Sequence, residues 1–158
     1  PNAAHKKLAE WEAEGRLKAV ITQNIDGLHQ AAGSQNVLEL HGSVHRNHCQ
    51  RCGKFYGLEH ILRTEGVPRC SCGGIIKPDV VLYEEGLDQG TLEAAVRALA
   101  EADMLMIGGT SLNVYPAAGL IRYYQGHRLV LLNKSPVARD LAADLVITDP
   151  IGETLAQL

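Results

Sequence analysis

Apolar positions along this chain recur with two periods. Ala4, Leu8 and Trp11 share one face at helical spacing, Asn2 stands where it can cap that helix, and Gly15 is placed to end it. Lys18 to Thr22 then reads as a buried strand, and Val37 to Leu40 is another apolar stretch. Further on, Leu92, Ala95, Val96 and Leu99 form a second helical stripe behind a possible Asp88 cap, followed by a strand from Met104 to Gly108. Pro116 fits the first turn of a helix running to about Tyr124, and Leu129 to Leu132 and Leu145 to Ile147 are strand-like. Short apolar strands alternate with amphipathic helices and few hairpin signals intervene. The pattern predicts an α/β fold, a doubly wound parallel sheet covered on both faces.

Residues 43 to 78 break this rhythm, holding all four cysteines and three of the seven histidines among short elements. They are expected as an inserted module. There is no internal repeat and no low-complexity segment.

Composition narrows the picture. At 158 residues the chain suits one domain with a small appendage, burying roughly 70% of its unfolded surface. With one Phe, one Trp and five Tyr, the core must come from Leu, Val and Ile. A net charge of -3, a pI near 6.2 and the absence of a basic stripe argue against a nucleic-acid surface. The apolar runs are far too short to span a bilayer, and no secretory segment opens the sequence, so no membrane partner and a cytoplasmic location are expected. The first residue is Pro1 rather than Met, which fits a processed product or a piece of something longer.

Cys49-Gln50-Arg51-Cys52 and Cys70-Ser71-Cys72 form two knuckles, each beside a glycine. Four thiolates in this pattern match one closed tetrahedral zinc site, and a filled coordination shell makes the metal structural rather than catalytic. A disulfide framework is the alternative, disfavoured by only four clustered cysteines in a chain expected inside the cell. His45 and His48 are near enough to be alternative ligands, although four thiols already suffice.

Other polar groups collect where strands end. Gln23, Asn24 and Asp26 follow the first strand, and such amides and a carboxylate at a strand's carboxyl end can read ribose hydroxyls and a carboxamide. The same Asn-Ile-Asp-Gly stretch is also ordinary turn chemistry. His41, between Leu40 and Gly42, stands at the join to the cysteine module. Gly108-Gly109-Thr110-Ser111 follows the Met104 strand and suits close approach to a phosphate, though a small-residue turn needs no ligand. Asn133 follows the next strand and fits the adenosine part of a nucleotide or a plain turn.

Together these segments resemble the sirtuin family, the NAD-dependent protein-lysine deacylases. The matching landmarks are Thr22-Gln23-Asn24-Ile25-Asp26-Gly27-Leu28-His29, Leu40-His41-Gly42, both cysteine pairs and Lys77-Pro78-Asp79-Val80-Val81-Leu82-Tyr83-Glu84-Glu85. Gly109-Thr110-Ser111-Leu112, Val114-Tyr115-Pro116-Ala117 and Asn133 complete the series. The resemblance implies a Rossmann-like parallel sheet, from 1 to 42 and 79 to 158, around a zinc-binding module from 43 to 78. It implies NAD held by Asp26 and the Ile25 backbone at the nicotinamide carboxamide, and by Gln23 and Asn24 near the ribose. Gly109, Thr110 and Ser111 would contact the phosphate and ribose region, with Asn133, Lys134 and the Ile151 backbone by the adenosine. The acetyl oxygen of a substrate lysine attacks the nicotinamide ribose, nicotinamide leaves, and His41 serves as general base on a ribose hydroxyl, a task suited to a residue type that titrates near neutrality. The family's products are free lysine, nicotinamide and acetylated ADP-ribose. An acetylated peptide would add as a strand along Val80, Val81 and Tyr83 on one side and Val114 on the other; a plain core strand is the alternative for Val80 to Tyr83.

Two departures stand out. Where the family commonly has Phe-Gly-Glu, this chain has Tyr83-Glu84-Glu85. The family's opening strand with its Gly-Ala-Gly-x-Ser loop, and the Gly-Ile-Pro-Asp-Phe-Arg segment that follows, do not occur in these residues; the single Phe, Phe55, lies in the cysteine module. The first βα unit is thus expected to be missing, and the chain alone to be weakly active or inactive. A non-catalytic zinc-stabilised module binding acetyl-peptide or ADP-ribose, and an NAD-dependent ADP-ribosyl transferase, are the competing functions.

Overall fold

The computed structural model describes residues 1–135 and 142–158. Their contacts divide into two compact units, one of residues 1–21, 28–38 and 89–158 and one of residues 22–27 and 39–88.

In the first unit, helix α1 (Ala3–Ala13) begins at Asn2, whose side chain accepts from the His5 backbone while the His5 ring caps the Asn2 amide. Strand β1 (Val20–Thr22), helix α2 (Leu28–Ala32) and strand β2 (Val37–Glu39) follow. Hydrogen bonds from Val20 to Asn36 and from Leu40 to Thr22 advance in the same direction along both strands, so β1 and β2 pair in parallel. Helix α4 (Gln89–Ala100; α3 lies in the second unit) precedes β6 (Leu105–Gly108), and a 3-10 helix (Ala117–Tyr123) leads to β7 (Leu129–Leu132), β8 (Leu145–Ile147) and α5 (Ile151–Ala156). Strands β6, β7 and β8 form a parallel sheet in that order.

Alternation along these strands builds two cores. Met106, Val130, Leu132 and Ile147 pack with Ala4, Leu8 and Trp11 of α1 and with Ile151 and Leu155 of α5. Leu105, Ile107, Leu129 and Leu131 pack on the opposite face with Leu112, Ala118 and Ile121. Because successive side chains point to opposite faces, a run such as Leu129-Val-Leu-Leu must be apolar throughout to serve both layers. The doubly covered parallel sheet expected from the pattern is therefore present. The segment after Pro116 differs in detail: it winds as a 3-10 helix, with i→i+3 bonds from Gly119 to Pro116 and from Tyr124 to Ile121.

The second unit is an antiparallel sheet in the order β4 (Phe55–Gly57), β3 (Gly42–Cys49), β5 (Ile76–Val80), with a short helix α3 (Leu58–Leu62). Its small core is Cys49, Cys70 and Ile76, with Tyr56 and Ile61 against it. Strand β5 stops at Val80, and Tyr83 is fully exposed. Val80 to Tyr83 is therefore not a plain core strand. Among the described residues no helix is long and apolar enough to cross a membrane.

Candidate active site and metal centre

The sulfurs of Cys49, Cys52, Cys70 and Cys72 lie within 4.8 Å of one another. Cys49–Cys72, Cys52–Cys70 and Cys52–Cys72 separations are 3.5, 3.6 and 3.6 Å. Four sulfurs at a zinc bond length of about 2.3 Å lie roughly 3.8 Å apart, whereas a disulfide would need about 2 Å. The cluster thus has the dimensions of one tetrahedral site, and all four cysteines are free. Turn hydrogen bonds from Gly53 to Cys49 and from Gly73 to Cys70 close the two knuckles.

The Cys72 backbone N–H and the Tyr56 hydroxyl draw the Cys70 thiol down to about 5, against the effect of burial. Cys49 is lowered too, first by the Cys52 backbone N–H. Cys52 has the Lys54 N–H lowering it, yet the crowding of Cys72, Cys49 and Cys70 pushes it up to about 11. Four thiolates cannot coexist at this spacing without a cation, so metal uptake must release protons. Neither nearby histidine belongs to this cluster: His45 Nε2 bonds the Asp26 carbonyl, and His48 Nδ1 bonds Asp79 Oδ1 at 2.8 Å.

Within the same unit, residues 22–27 form a loop whose carbonyls are held one after another. His41 Nδ1 lies 3.0 Å from the Gln23 carbonyl, the Val44 amide donates to the Ile25 carbonyl at 3.1 Å, and His45 Nε2 lies 3.0 Å from the Asp26 carbonyl. A carbonyl only accepts, so the hydrogen of neutral His41 sits on Nδ1 and Nε2 keeps a lone pair. That is the tautomer a general base needs. The Asn24 amide donates to Thr22 Oγ1 at 3.1 Å, starting the turn. Gly27 has φ +68°, and a Cβ there would press on the His45 ring at 2.8 Å.

The motif around His41 has a steric reason for each member. Leu40 is buried at 3% exposure, and Gly42 pairs with Val80 across the β3–β5 ladder. At φ +75°, a Cβ on Gly42 would overlap the Asp79 carbonyl. The Val81 amide donates to the His41 carbonyl at 3.0 Å, which aligns Val80 and Val81 beside the histidine. After Val80 the chain turns: the Glu85 amide donates to the Leu82 carbonyl, Glu85 accepts from the Leu82 amide, and Glu84 takes φ +71°. Glutamate thus stands here with a left-handed backbone, a conformation that favours glycine.

In the first unit, the carboxyl ends of β6, β7 and β8 lie along one edge of the parallel sheet. Gly109, Thr110 and Ser111 leave β6, with Thr110 Oγ1 accepting from the Leu112 amide at 3.1 Å. Asn133 leaves β7, its amide donating to the Ile147 carbonyl and its side chain to the Ser135 carbonyl. Lys134 beside it is exposed, and Ile151 opens α5 close against Gly108. Val114 is 48% exposed in the segment before the 3-10 helix. Polar groups at this edge are where ligands bind in open α/β sheets.

Comparison with known proteins adds a decisive observation, since residues 1–116 match the model of the Sir2 family. The chain belongs to the Sir2 family. This Sir2 chain is 62% identical over 98% of its length to an NAD-dependent protein deacetylase of Clostridium acetobutylicum, and 60% identical over its full length to one of Clostridium perfringens. It spans 64% and 66% of those two relatives. A solved structure described as a Sir2–p53 peptide–NAD+ complex superposes with a TM-score of 0.91 at 41% identity, over 99% of this chain and 68% of that one.

Sequence reasoning singled out the loop, the histidine, the cysteines and the strand ends of this Sir2 chain. It missed the service that Val44, His45 and Asp79 perform. Nothing in the local pattern marks them, because their role depends on an irregularity in β3 that brings Val44 and His45 to the loop. The β3–β5 register jumps from Ser43↔Asp79 to Asn47↔Pro78.

Proposed function

We propose that this chain carries the nicotinamide-binding loop, the general base and the peptide edge of an NAD-dependent protein-lysine deacetylase. The single observation that carries the reading is the His41 Nδ1 contact with the Gln23 carbonyl, which leaves Nε2 as the acceptor. Asp26 and the Ile25 backbone serve the carboxamide, with Gln23 and Asn24 by the adjoining ribose. Gly109, Thr110 and Ser111 serve the phosphate and ribose region, and Asn133, Lys134 and the Ile151 backbone the adenosine. Bound NAD would supply an electrophilic ribose carbon: the acetyl oxygen would bond to it while nicotinamide leaves with the electron pair of the broken bond. His41 Nε2 would take the proton of a ribose hydroxyl whose oxygen bonds to the acetyl carbon. One water must also be consumed, supplying the oxygen that replaces nitrogen on the acetyl carbon as the carbon–nitrogen bond breaks and the amine leaves with a proton. Lysine, nicotinamide and O-acetyl-ADP-ribose would then be the products.

The substrate is an acetylated protein or peptide, paired through its backbone with Val80, Val81 and Tyr83 and with Val114. Exposure of Tyr83 and Val114 supports this edge, as both are apolar surfaces without a core role. Residues 43 to 78 fold as a module around one structural Zn2+ held by Cys49, Cys52, Cys70 and Cys72. Four thiols arranged for a metal rather than for disulfides support a reducing, cytoplasmic location.

Replacing His41 by Ala in the full-length protein tests the reading. Free-lysine formation, followed alongside nicotinamide release with NAD and an acetyl-lysine peptide, should fall by about 10²-fold or more, the usual worth of a positioned base. Unchanged lysine formation in that variant would sink the catalytic role of His41, and a full-length parent that forms no lysine and releases no nicotinamide would favour a non-catalytic acetyl-peptide or ADP-ribose module. The same assay on the 158-residue chain should give little nicotinamide, since it contains no Gly-Ala-Gly-x-Ser loop.

A further inference from the structure

We propose that His45 is a positioning residue of this site: from a bulge in β3 it fixes the Asp26 loop and so sets how tightly the nicotinamide carboxamide is held. The inference rests on the reading of Asp26 as the carboxamide contact.

The observations start with the ladder. Between Ser43 and Asn47 strand β3 advances four residues while its partner β5 advances one, from Asp79 to Pro78. Residues 44–46 are thereby released from β5, and bulges of this kind re-aim side chains next to sites. Two of the released groups point at consecutive carbonyls of the loop. The Val44 amide reaches Ile25 O at 3.1 Å and the His45 ring reaches Asp26 O at 3.0 Å. Since that carbonyl only accepts, His45 Nε2 carries the hydrogen. Beneath the ring lies Gly27, where any side chain would collide with it. The loop is thus gripped at the residue whose carboxylate does the binding and closed off at the next.

A bulge this wide needs a brace, and Asp79 provides it. Its carboxylate takes His48 Nδ1 at 2.8 Å and faces Arg46 Nε at 3.7 Å, while Arg46 Nη1 reaches Glu39 at 2.7 Å. Glu39 is 8% exposed at its side chain, so this last pair is shielded from solvent on one side. Asp79 therefore ties the C-terminal end of the bulge, at Arg46 and His48, to β5. Its own carbonyl abuts Gly42, the residue after His41.

The test uses the full-length, metal-loaded protein. His45→Ala should raise the KM for NAD and the inhibition constant of nicotinamide together by roughly 3- to 10-fold, with kcat changed less than about 3-fold. His45→Gln, whose amide nitrogen can occupy the place of Nε2, should recover most of this loss, and His45→Phe, which fills the space without a donor, should not. Amide exchange at Val44 should quicken at least tenfold in the Ala and Phe variants and return towards the parent rate in the Gln variant. If all three variants matched the parent in both KM and exchange, the proposal would be overturned. Faster exchange with no change in nicotinamide affinity would retain His45 as the loop's support and refute the assignment of Asp26. Loss of exchange protection throughout β3 would mean that the variant fails to fold, and Asp79→Asn then decides. Weakening the brace without deleting it should move nicotinamide affinity in the same direction as His45→Ala, and an unmoved affinity overturns the proposal.

Discussion

Gly42 and Glu84 show how much single backbone angles decide. Gly42→Ala forces a methyl into the Asp79 carbonyl at a positive φ, with no flexible side chain able to yield. The expected loss is about 3 kcal/mol or more, read from urea unfolding of the metal-loaded protein. Glu84 is the opposite case. A non-glycine residue at φ +71° costs about 1–2 kcal/mol, against roughly 0.5–1 kcal/mol for the extra freedom glycine has in the unfolded chain. Glu84→Gly should therefore stabilise by about 0.5–1 kcal/mol, and a lowered Tm would contradict it. His41 was legible as a residue because it stands in a recognisable motif. The tautomer that makes it a base was not, since it depends on a carbonyl 18 positions away.

At the scale of elements, the turn after β5 carries its own acid sensitivity. Glu85 is held below the usual carboxylate range chiefly by the Leu82 backbone N–H; burial opposes this, and the hydrogen bond and charge of Lys77 add to the lowering. A carboxylate lowered in the folded state stabilises fully above its unfolded value of about 4.3, and that contribution is lost as pH falls through the lowered folded value. The protection factor of the Leu82 amide should accordingly fall as acid titrates Glu85, and in Glu85→Ala that protection should be absent at every pH. The helices and strands themselves were largely readable. Leu129–Leu132 and Leu145–Ile147 fall where apolar runs placed them; the first serves two cores, whereas in the second, at the sheet edge, only Ile147 joins a core. Strand β3 was not foreseen: His45, Arg46 and His48 give it no period-2 alternation, and its register shifts between Ser43 and Asn47, where Val44 and His45 meet the loop.

For the whole molecule, the core cluster described in the second unit has three buried residues, two of which are cysteines. Such a core is too small to fold by burial alone, so metal binding must supply much of its folding free energy. Stripping the metal with a chelator should abolish amide protection in β3, β4 and β5 while the β6–β7–β8 sheet keeps its own; a chelated protein still protected at Cys49 and Ile76 would refute this. What the sequence determined by itself was whatever is encoded in local spacing: alternation that buries both faces of a parallel sheet, two cysteine pairs set for one metal, polar residues at strand ends, and motifs whose order identifies the family. Tertiary structure alone decided which groups act on which. The grip of His41, Val44 and His45 on three carbonyls of one loop, and the brace of Asp79 between Arg46 and His48, join residues 18 to 33 positions apart. Hydrogen bonds are directional and short, so they exist only once packing has set strand register, and no pattern along the chain specifies that register residue by residue.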